Sequence, residues 1–396
     1  MLKTLTNIIN VNQQALEEWY QSKLIKFNPC FYSSVDVRYS GKQLVPVDCN
    51  LFPAGFNNLN LANIDRAANL SKNYFQEYFP QVKKILIIGE NHTRNLNYLD
   101  NLAVLKQIII QAGYQCEIGS LTEIEDVQYQ GTMHRNIDII ALTKHNKQLS
   151  GLDGFIPDLI LLNNDLMTGI PEKLEGLSQI IIPHPNNGWF KRRKSHHFSI
   201  YNKLVEELGQ LFAFPVALLT AEYDICNGID FKTKQGVDIL ATKVDQLLGV
   251  IREKYQRNKI DDQPYVIIKS NYGTYGMGIM TAKSAEEIYN LNQKSRRQMQ
   301  VTKNNVVNEQ VIIQEGIKTI DVVNGNSAEP LLCLVNHQLS AFLYRSHPEK
   351  DQYSNLNSVG MQISNRPQDF SDYYQCCSFV ARLATLAATL ENGSGF

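Results

Sequence analysis

A lysine followed by closely spaced glycines is the strongest chemical signal in the sequence. Lys269 ends the apolar run Tyr265–Lys269, and Gly273, Gly276 and Gly278 follow within nine residues. Glycines let backbone amides approach phosphate oxygens, and a nearby lysine supplies a positive charge. The pattern is neither a P-loop, which needs Gly-Lys-Ser/Thr, nor a dinucleotide fingerprint, whose glycine spacing differs. It predicts a phosphate-binding loop, with a turn between two strands as the structural alternative.

A second run could contribute to a nucleotide site. Gln314, Glu315, Gly316 and Ile317 lie at the end of an apolar, strand-like segment that begins near Gln310. The backbone groups at such a strand edge can pair with a purine ring. Taken alone, this run is better explained as an ordinary strand that ends in a charge.

A third group of residues could hold a metal ion. Arg345 ends a later strand-like run, and Asn355 and Asn357 follow it in an extended segment. Magnesium prefers oxygen ligands, so a carboxylate should join the two amides. Glu329 is the first candidate and Asp321 the reserve. A turn is the alternative for the two asparagines, since asparagine favours turns.

The N-terminal part carries polar residues that could bind a substrate. Arg38 and Lys42 could hold a carboxylate, and Asn50, Asn57 and Asn58 could hold polar groups. Loops dense in Asn, Pro and aromatic residues frequently line functional sites. The alternative is an N-terminal segment that wraps the fold without touching a substrate.

A basic run follows another strand-like segment. Lys191, Arg192, Arg193 and Lys194 could form an anion-binding patch at the carboxyl end of a strand, where α/β sheets bind ligands. Charge runs also lie on solvated faces, and the two interpretations stand about even. The neighbouring histidines His196 and His197 have no partner at metal-binding spacing, so we assign them no metal.

From residue 81 onward, short apolar runs alternate with polar or helical stretches. The runs are Ile85–Ile88, Ile137–Leu142, Leu159–Leu162 and Ile180–Ile182. This alternation predicts βα units, a mostly parallel sheet and an α/β fold class. By contrast, Val35–Leu61 is rich in Asn, Pro, Gly and aromatic residues and is predicted to be irregular. An apolar stripe predicts a long helix over residues 237–256.

Composition excludes several classes of protein. The chain has 396 residues, which suits two or three domains, and 38 Lys+Arg against 39 Asp+Glu. This balance argues against a nucleic-acid partner. No segment has the ~18 apolar residues of a membrane span, so we expect no membrane association. The seven scattered cysteines show no CxxC pair and no zinc spacing, which favours a reducing, cytoplasmic compartment.

With these motifs in view, the sequence resembles the ATP-grasp-like bacterial glutamate–cysteine ligases. The resemblance rests on the segments VDVRYSGKQLVPVDCNLFPAGFNNL, GWFKRRKSHHF, IIKSNYGTYGMGIM, VIIQEGI and SNLNSVGM, which together span most of the chain. It implies an enzyme that uses ATP and Mg2+ to join L-glutamate to L-cysteine. The product would be γ-glutamylcysteine, in the first step of glutathione synthesis.

The resemblance also implies an architecture, an α/β (α+β) ATP-grasp fold preceded by a Rossmann-like pre-ATP-grasp domain. Residues 1–80 would form an N-terminal substrate-binding segment and residues 81–215 the pre-ATP-grasp domain with its mostly parallel sheet. Residues 216–396 would form the ATP-grasp nucleotide-binding and catalytic domain.

By position, the resemblance assigns roles to individual residues. Lys269 would contact the α- and β-phosphates, and Tyr272–Gly278 would cover the phosphates. Gln314–Ile317 would be the linker beside the adenine. Arg345 would touch the γ-phosphate.

The metal site departs from the pattern of the resembling enzymes. Asn357, with Glu329, would hold the magnesium. ATP-grasp enzymes usually have a Glu-x-Asn pair, however, and this chain has Asn355 in place of the Glu. The carboxylate that binds the metal is therefore left open.

Two other functions remain as alternatives. The first is another ATP-dependent carboxylate–amine ligase with a different acceptor, such as a glutathione synthetase-like enzyme or a peptide ligase. The second is a non-catalytic nucleotide-binding protein with the same fold. In each case the expected partners are small molecules, and the sequence leaves a homo-oligomer open.

Overall fold

The computed structural model of the chain describes residues 1–90, 95–122, 127–132, 136–231, 233–273, 278–300, 310–369 and 371–391. The helices are α1 (Leu2–Val11), α2 (Gln13–Leu24), α3 (Leu61–Tyr78), α4 (Leu96–Gln111), α5 (Lys194–Phe212), α6 (Val216–Leu219), α7 (Lys234–Asn258), α8 (Ala285–Tyr289), α9 (Gln293–Gln300) and α10 (Asp372–Leu390).

Strands form three sheets, so the predicted mixed α/β class is confirmed. The strands are β1 (Tyr32–Tyr39), β2 (Leu44–Asn50), β3 (Lys84–Gly89), β4 (Gln115–Ser120), β5 (Val127–Gln130), β6 (Asn136–His145), β7 (Gln148–Gly151), β8 (Leu159–Asn163), β9 (Ile180–Ile182), β10 (Tyr223–Asn227), β11 (Val266–Ser270), β12 (Met280–Ala282), β13 (Gln310–Glu315), β14 (Val322–Val323), β15 (Asn326–Val335), β16 (Gln338–His347) and β17 (Gln362–Asn365).

The first sheet is antiparallel and joins distant parts of the chain. Its strand order is β17-β16-β15-β1-β2, and β14 pairs with β15. The central pair, β1 with β15, aligns Tyr32 with Val335 and Asp36 with Leu331. Strands from residues 32–50 and 326–347 therefore share one sheet. The boundaries expected at residues 80 and 215 stay predictions.

The prediction that Val35–Leu61 is irregular is wrong for its first half. Residues 32–50 form the hairpin of β1 and β2, because Val35 and Val37 alternate with polar residues and are fully buried on one face. Pro46, a residue that strands tolerate at irregularities, lies opposite Val37 where the register shifts. The Asn, Pro and Gly content belongs to the loop that follows Asn50.

The second sheet has a parallel centre in the order β6-β4-β3-β8-β9. Strands β5 and β7 both pair with β6 in the antiparallel direction. Buried isoleucines and leucines fill its strands, as expected when helices and loops cover both faces. The parallel strands end near Gly89, Asn163 and Ile182, and the loops after β8 and β9 extend from that edge.

The third sheet is a small antiparallel sheet in the order β10-β13-β11-β12. Helix α7 covers one face, and the side chain of Thr233 caps its first turn by accepting from the Gly236 amide at 3.1 Å. Val311 and Ile313 of β13 belong to the core shared with α7. Residues that alternate with them, Ile312 and Gln314, therefore lie on the opposite face.

Helix α10 packs beneath the first sheet and supplies much of the largest core. Val380, Leu383 and Leu386 are buried in the same cluster as Val35 and Phe342 of the sheet. Ser371 caps the helix by accepting from the Tyr374 amide at 3.2 Å. The C-terminal helix thus holds strands from both ends of the chain. Among the described residues, no helix is long and apolar enough to cross a membrane.

Replacing Leu383 by Ala should therefore destabilise the protein strongly. The side chain is 1% exposed, and removal of a buried leucine costs about 2–5 kcal/mol of unfolding free energy. Urea unfolding at neutral pH measures the loss. The matched control is Leu211→Ala on α5, where the leucine is 56% exposed and the expected change is below about 0.5 kcal/mol. Equal effects of the two variants would contradict the packing of α10.

Candidate functional site

A cavity opens between the first sheet, the third sheet and the start of α5. Its lining residues are Asp36, Arg38, Val47, Asp48, Lys194, Ile267, Lys269, Ser270, Tyr272, Gly273, Ile279, Gln314, Glu315, Glu329, Asn355 and Asn357. Ten of these were predicted as site residues from the sequence, and they come from six separate parts of the chain.

A buried row of ion pairs crosses the floor of this cavity. Glu329 of β15 accepts from Arg38 Nε at 2.7 Å and from Arg345 Nη1 at 2.9 Å. All three side chains are at most 8% exposed. Burial alone would raise the pKa of Glu329, but the two arginines outweigh burial and hold that pKa below its usual range. Glu329 is therefore ionised at neutral pH.

Arg38 also binds two backbone carbonyls. Besides Glu329, it donates to the carbonyl of Ile317 at 3.1 Å and to that of Ser354 at 2.7 Å. The guanidinium thus joins β1 to β15 and to the loops that follow β13 and β16. Arg345 does not line the cavity, because it lies behind Glu329 and Asp36 and donates to both.

Lys269 ends β11 inside the cavity. Its Nζ donates to the carbonyl of Val47 at 2.7 Å and lies 5.5 Å from the centre of the Phe198 ring. Burial lowers the pKa of Lys269 to about 8, although the charge of Asp48 opposes this effect. The amine is consequently a poorly solvated donor that an anion in the cavity would stabilise in its charged form.

Lys194 begins α5 and faces Asp48 across the cavity wall. Its Nζ donates to Asp48 Oδ1 at 2.5 Å and lies 4.5 Å from the centre of the Trp189 ring. Asn271, just after β11, accepts from the Lys194 amide and the Ser195 amide at 2.8 Å each. The loop that follows Lys269 thus positions the first turn of α5.

The glycine loop borders the same cavity. Tyr272 and Gly273 line it, and Gly278 lies just before β12, whereas Gly276 is outside the described residues. Gly273 has φ +91°, and a Cβ there would lie 3.3 Å from Cε of Met167. A larger residue would therefore be strained at this position.

Strand β13 and the residues after it form another wall. Gln314 and Glu315 line the cavity, and Glu315 accepts from Gln43 and from Lys254 at 2.7 Å each. A Cβ on Gly316 would lie 2.2 Å from the Tyr265 ring, so only glycine fits at this position. Ile317 does not line the cavity and is buried against the first sheet.

The two asparagines of the predicted metal site lie at the cavity. Asn355 Nδ2 donates to the carbonyl of Asn357 at 3.1 Å, and the Asn357 amide donates to Asn355 Oδ1 at 3.1 Å. The turn that formed the alternative is therefore present, and it presents both residues to the cavity. Asp321, the reserve ligand, lies elsewhere and accepts from the Tyr373 hydroxyl.

Several predicted substrate residues do not reach the cavity, and their binding roles stay predictions. Lys42 is exposed in the β1–β2 turn. Asn50 closes a turn with Phe52. Asn57 and Asn58 lie in a single helical turn of three residues before α3.

Arg192 and Arg193 lie beside the cavity wall without lining it. Arg192 binds both oxygens of Glu391 at 2.6 and 2.8 Å and donates to the carbonyl of Cys49 at 2.7 Å. Arg193 lies 5.0 Å from the centre of the Tyr272 ring. Of the basic run, the structure brings only Lys194 into the cavity lining among the described residues.

Sequence reasoning missed two cavity carboxylates, Asp36 and Asp48. They lie directly opposite each other in the β1–β2 pair. The signal that could have revealed them is the alternation of buried valines with Asp36 and Arg38, which places both polar side chains on one face. The prediction of an irregular segment hid that pattern.

Replacing Glu391 by Gln should destabilise the protein by about 3 kcal/mol, because Arg192 is left as an unpaired buried charge. Burial alone would raise the pKa of Glu391, but Arg192 and His197 lower it to about 2. A lowered carboxyl pKa stabilises the fold above pH ~4.5, and this stabilisation is lost as the pH falls toward 2. Urea unfolding at pH 7 and pH 3 should show a smaller difference for the variant.

The control for this prediction is Glu253→Gln, which breaks the exposed pair with Arg257. Such a pair contributes about 0.3–0.5 kcal/mol. If Glu391→Gln is as mild as this control, the Arg192–Glu391 pair does not hold the C-terminal helix.

Comparisons with known proteins agree with one another on one family. The glutamate–cysteine ligase family (GshA) matches residues 6–392. A solved structure named "putative gamma-glutamylcysteine synthetase", from Methylobacillus flagellatus KT, is 37% identical with a TM-score of 0.89, over 98% of this chain and 95% of that one. No curated protein sequence matches the chain.

Two other solved structures are much more distant. A D-alanyl-alanine synthetase A from Vibrio cholerae is 10% identical with a TM-score of 0.36, over 76% of this chain and 80% of that one. A glutathione synthetase-like effector from Globodera pallida is 12% identical with a TM-score of 0.40, over 92% of this chain and 85% of that one. At these TM-scores, neither structure bears on the function of this chain.

Proposed function

The chain belongs to the glutamate–cysteine ligase family, and from this premise we propose that it joins the γ-carboxyl group of L-glutamate to the amine of L-cysteine. ATP would activate the carboxyl group as γ-glutamyl phosphate, and γ-glutamylcysteine would be the product. The proposed fold is ATP-grasp, with the parallel second sheet in a pre-ATP-grasp domain. None of the seven cysteines is in a disulfide, which fits the proposed cytoplasmic location.

One observation supports this proposal most directly. Lys269, the residues of the glycine loop and the end of β13 line one cavity together with Glu329 and Asn357. These residues are far apart in sequence, and each was predicted independently to handle a phosphate, a base or a metal ion. A common cavity is what a nucleotide-dependent ligase requires.

We propose one orientation for ATP in this cavity. On the cavity face of the third sheet, Lys269 is the neighbour of Ile312 and Gln314 is the neighbour of Ile267 in the β11–β13 register. We place the phosphates at Lys269 and Gly273 and the base at the Gln314 end. The base would then rest against an apolar side chain while the phosphates meet the cation.

The donors at this cavity fit Mg2+. Glu329, Asn355 and Asn357 offer hard oxygen atoms, and magnesium in nucleotide enzymes needs only one or two carboxylates in addition to phosphates. Each oxygen of Glu329 accepts one hydrogen bond from an arginine and retains a lone pair. When bound, the ion would neutralise charge on the transferring phosphoryl group.

The chain's own residues contribute positioning and charge. Lys269 would hold phosphate oxygens, and the amides of the glycine loop would approach them without obstruction. Arg38 and Arg345 keep Glu329 ionised and fixed, so they act through that carboxylate. Reactions of this kind depend on orientation and electrostatic stabilisation more than on covalent help from the protein.

Replacing Lys269 by Met should reduce ligase activity by about 100-fold or more, because the cavity loses its phosphate-binding charge but keeps a buried side chain of similar length. ADP release in the presence of ATP, glutamate and cysteine, with the product identified by mass, measures the effect. Lys243→Met, which breaks an ion pair with Asp224 at the edge of the third sheet, should leave the rate unchanged. Near wild-type turnover of Lys269→Met would refute this ATP site.

The affinity for a non-hydrolysable ATP analogue should fall as the pH rises through about 8. The pKa of Lys269 in the free protein is about 8, and a polyanion binds the protonated form better, so deprotonation weakens binding by up to about tenfold per pH unit. Calorimetric titration from pH 7 to pH 9.5 measures this dependence. Lys269→Arg, which stays charged throughout, should give a flatter profile; a profile as steep as the wild type would assign the dependence to another group.

A further inference from the structure

Two carboxylates face each other at the cavity, and the charge of Lys269 acts on both. Asp36 and Asp48 are directly opposite in the β1–β2 pair, and both line the cavity. Like charges at opposite positions of a sheet destabilise it. Arg345, which does not line the cavity, donates from Nη1 to Asp36 Oδ2 at 2.7 Å. The arrangement is therefore favourable only when the cavity side of the pair is also neutralised.

Asp48 has a free oxygen on that side. Its Oδ1 accepts from Lys194 at 2.5 Å, and its other oxygen has no partner among the described residues. Burial would raise the pKa of Asp48, but Lys194 and Lys269 outweigh it and hold that pKa far below its usual range. Asp48 is thus an ionised carboxylate with an open acceptor and a lysine at its side.

A further feature, at the end of the cavity that we assign to the base, supports a polar ligand. Gln314 is 2% exposed and lines the cavity, and its Nε2 has no hydrogen-bond partner. A buried donor without a partner is costly in a finished structure. A ligand acceptor at this position would remove the cost.

A lysine next to a carboxylate is complementary to an amino acid in its zwitterionic form. An ammonium group can bind Asp48 while the neighbouring carboxylate binds Lys194, which gives a ring of four alternating charges. The ammonium would also separate the charges of Asp36 and Asp48. Charge-assisted hydrogen bonds of this kind are about twice as strong as neutral ones.

We propose that Asp48 and Lys194 bind the acceptor amino acid, and that Asp48 holds its ammonium group beside the reacting carboxyl group. This inference rests on the proposed ligase function. Asp48 immediately follows Val47, whose carbonyl accepts from Lys269. The amine at Asp48 therefore lies beside the site assigned to the phosphates. The ammonium of the donor glutamate is several bonds away from its reacting carboxyl group and would lie farther from Lys269.

The proton balance of the step is complete. The acceptor enters as an ammonium, since α-amino groups are mostly protonated at neutral pH. One proton leaves the ammonium for solvent, and the nitrogen lone pair forms the C–N bond with the carbonyl carbon of the acyl phosphate. The C–O bond to the phosphate breaks, and its electron pair leaves with the phosphate. The phosphate takes the second proton from nitrogen.

The variant Asp48→Asn can separate binding of the acceptor amine from the ATP and glutamate steps when hydroxylamine replaces cysteine. Hydroxylamine attacks acyl phosphates and is already unprotonated at neutral pH, so its reaction should not need Asp48. With ATP and glutamate, the variant should form the hydroxamate within about threefold of the wild-type rate. Ligation to cysteine should fall by about 100-fold, because the charge-assisted hydrogen bond that positions the amine is lost. Asp224→Asn, in a lysine pair outside the cavity, should leave both rates unchanged.

A second variant tests the carboxylate contact and does not depend on the first. Cysteamine is cysteine without its carboxylate, so the wild-type enzyme should have a lower KM for cysteine than for cysteamine. Lys194→Gln should raise the KM for cysteine and remove most of this preference while leaving hydroxamate formation intact. The comparison of cysteine with cysteamine still tests the proposal if Asp48→Asn fails to fold.

Three results would overturn the inference. If the variant Asp48→Asn ligates cysteine at the wild-type rate, Asp48 does not bind the amine. Equal loss of hydroxamate formation and ligation in a folded variant would place Asp48 in the ATP or glutamate step. If a higher Mg2+ concentration restored the ligation activity of Asp48→Asn, Asp36 and Asp48 would be assigned to a metal site instead. Failure of the wild-type enzyme to form any hydroxamate from glutamate would instead contradict the proposed function itself.

Discussion

The buried row of Arg38, Glu329 and Arg345 is the interaction on which the rest of the cavity depends. Three charges with at most 8% exposure are tolerable only when each has its partner in place. Their strands, β1, β15 and β16, come from opposite ends of the chain. Formation of the row therefore requires the first sheet to be complete. The same condition positions Asp36 and the loop that carries Asn355 and Asn357.

The structure distinguishes two kinds of basic residue that look alike in the sequence, those that pair with a buried carboxylate and those that face the cavity. Arg38, Arg192 and Arg345 each bind a buried carboxylate, two of them also a backbone carbonyl, so their charge is already neutralised. Lys194 and Lys269 keep their amines on the cavity side. Arginine suits the first role because its planar fork binds several acceptors at once, whereas lysine is a compact charge that a ligand can share.

Much of the cavity could be predicted because its chemistry is local in sequence. The lysine near the end of β11, the glycines after it and the Gln-Glu end of β13 each form a pattern that can be recognised within a few residues, and all three line the cavity. The α/β class follows from the alternation of short apolar runs with helices. The hairpin of β1 and β2 could not be recognised in the same way, since Pro46 and a register shift interrupt its alternation. Its partner strand β15 lies almost 300 residues away, and a single sequence carries no signal for that pairing.

Failure to recognise the hairpin explains why the carboxylates Asp36 and Asp48 were missed and why Arg38 was taken for a free cation. Whether a charged residue is structural or ligand-binding depends on what lies across the sheet from it. Glu329 lies beside Arg38, and the cavity lies beside Asp48. In this fold, opposite charges that pair across neighbouring strands, as Arg38 and Glu329 do, stabilise the first sheet. Charges at the junction of the first sheet, the third sheet and α5 remain available to a ligand, because no single element can neutralise them.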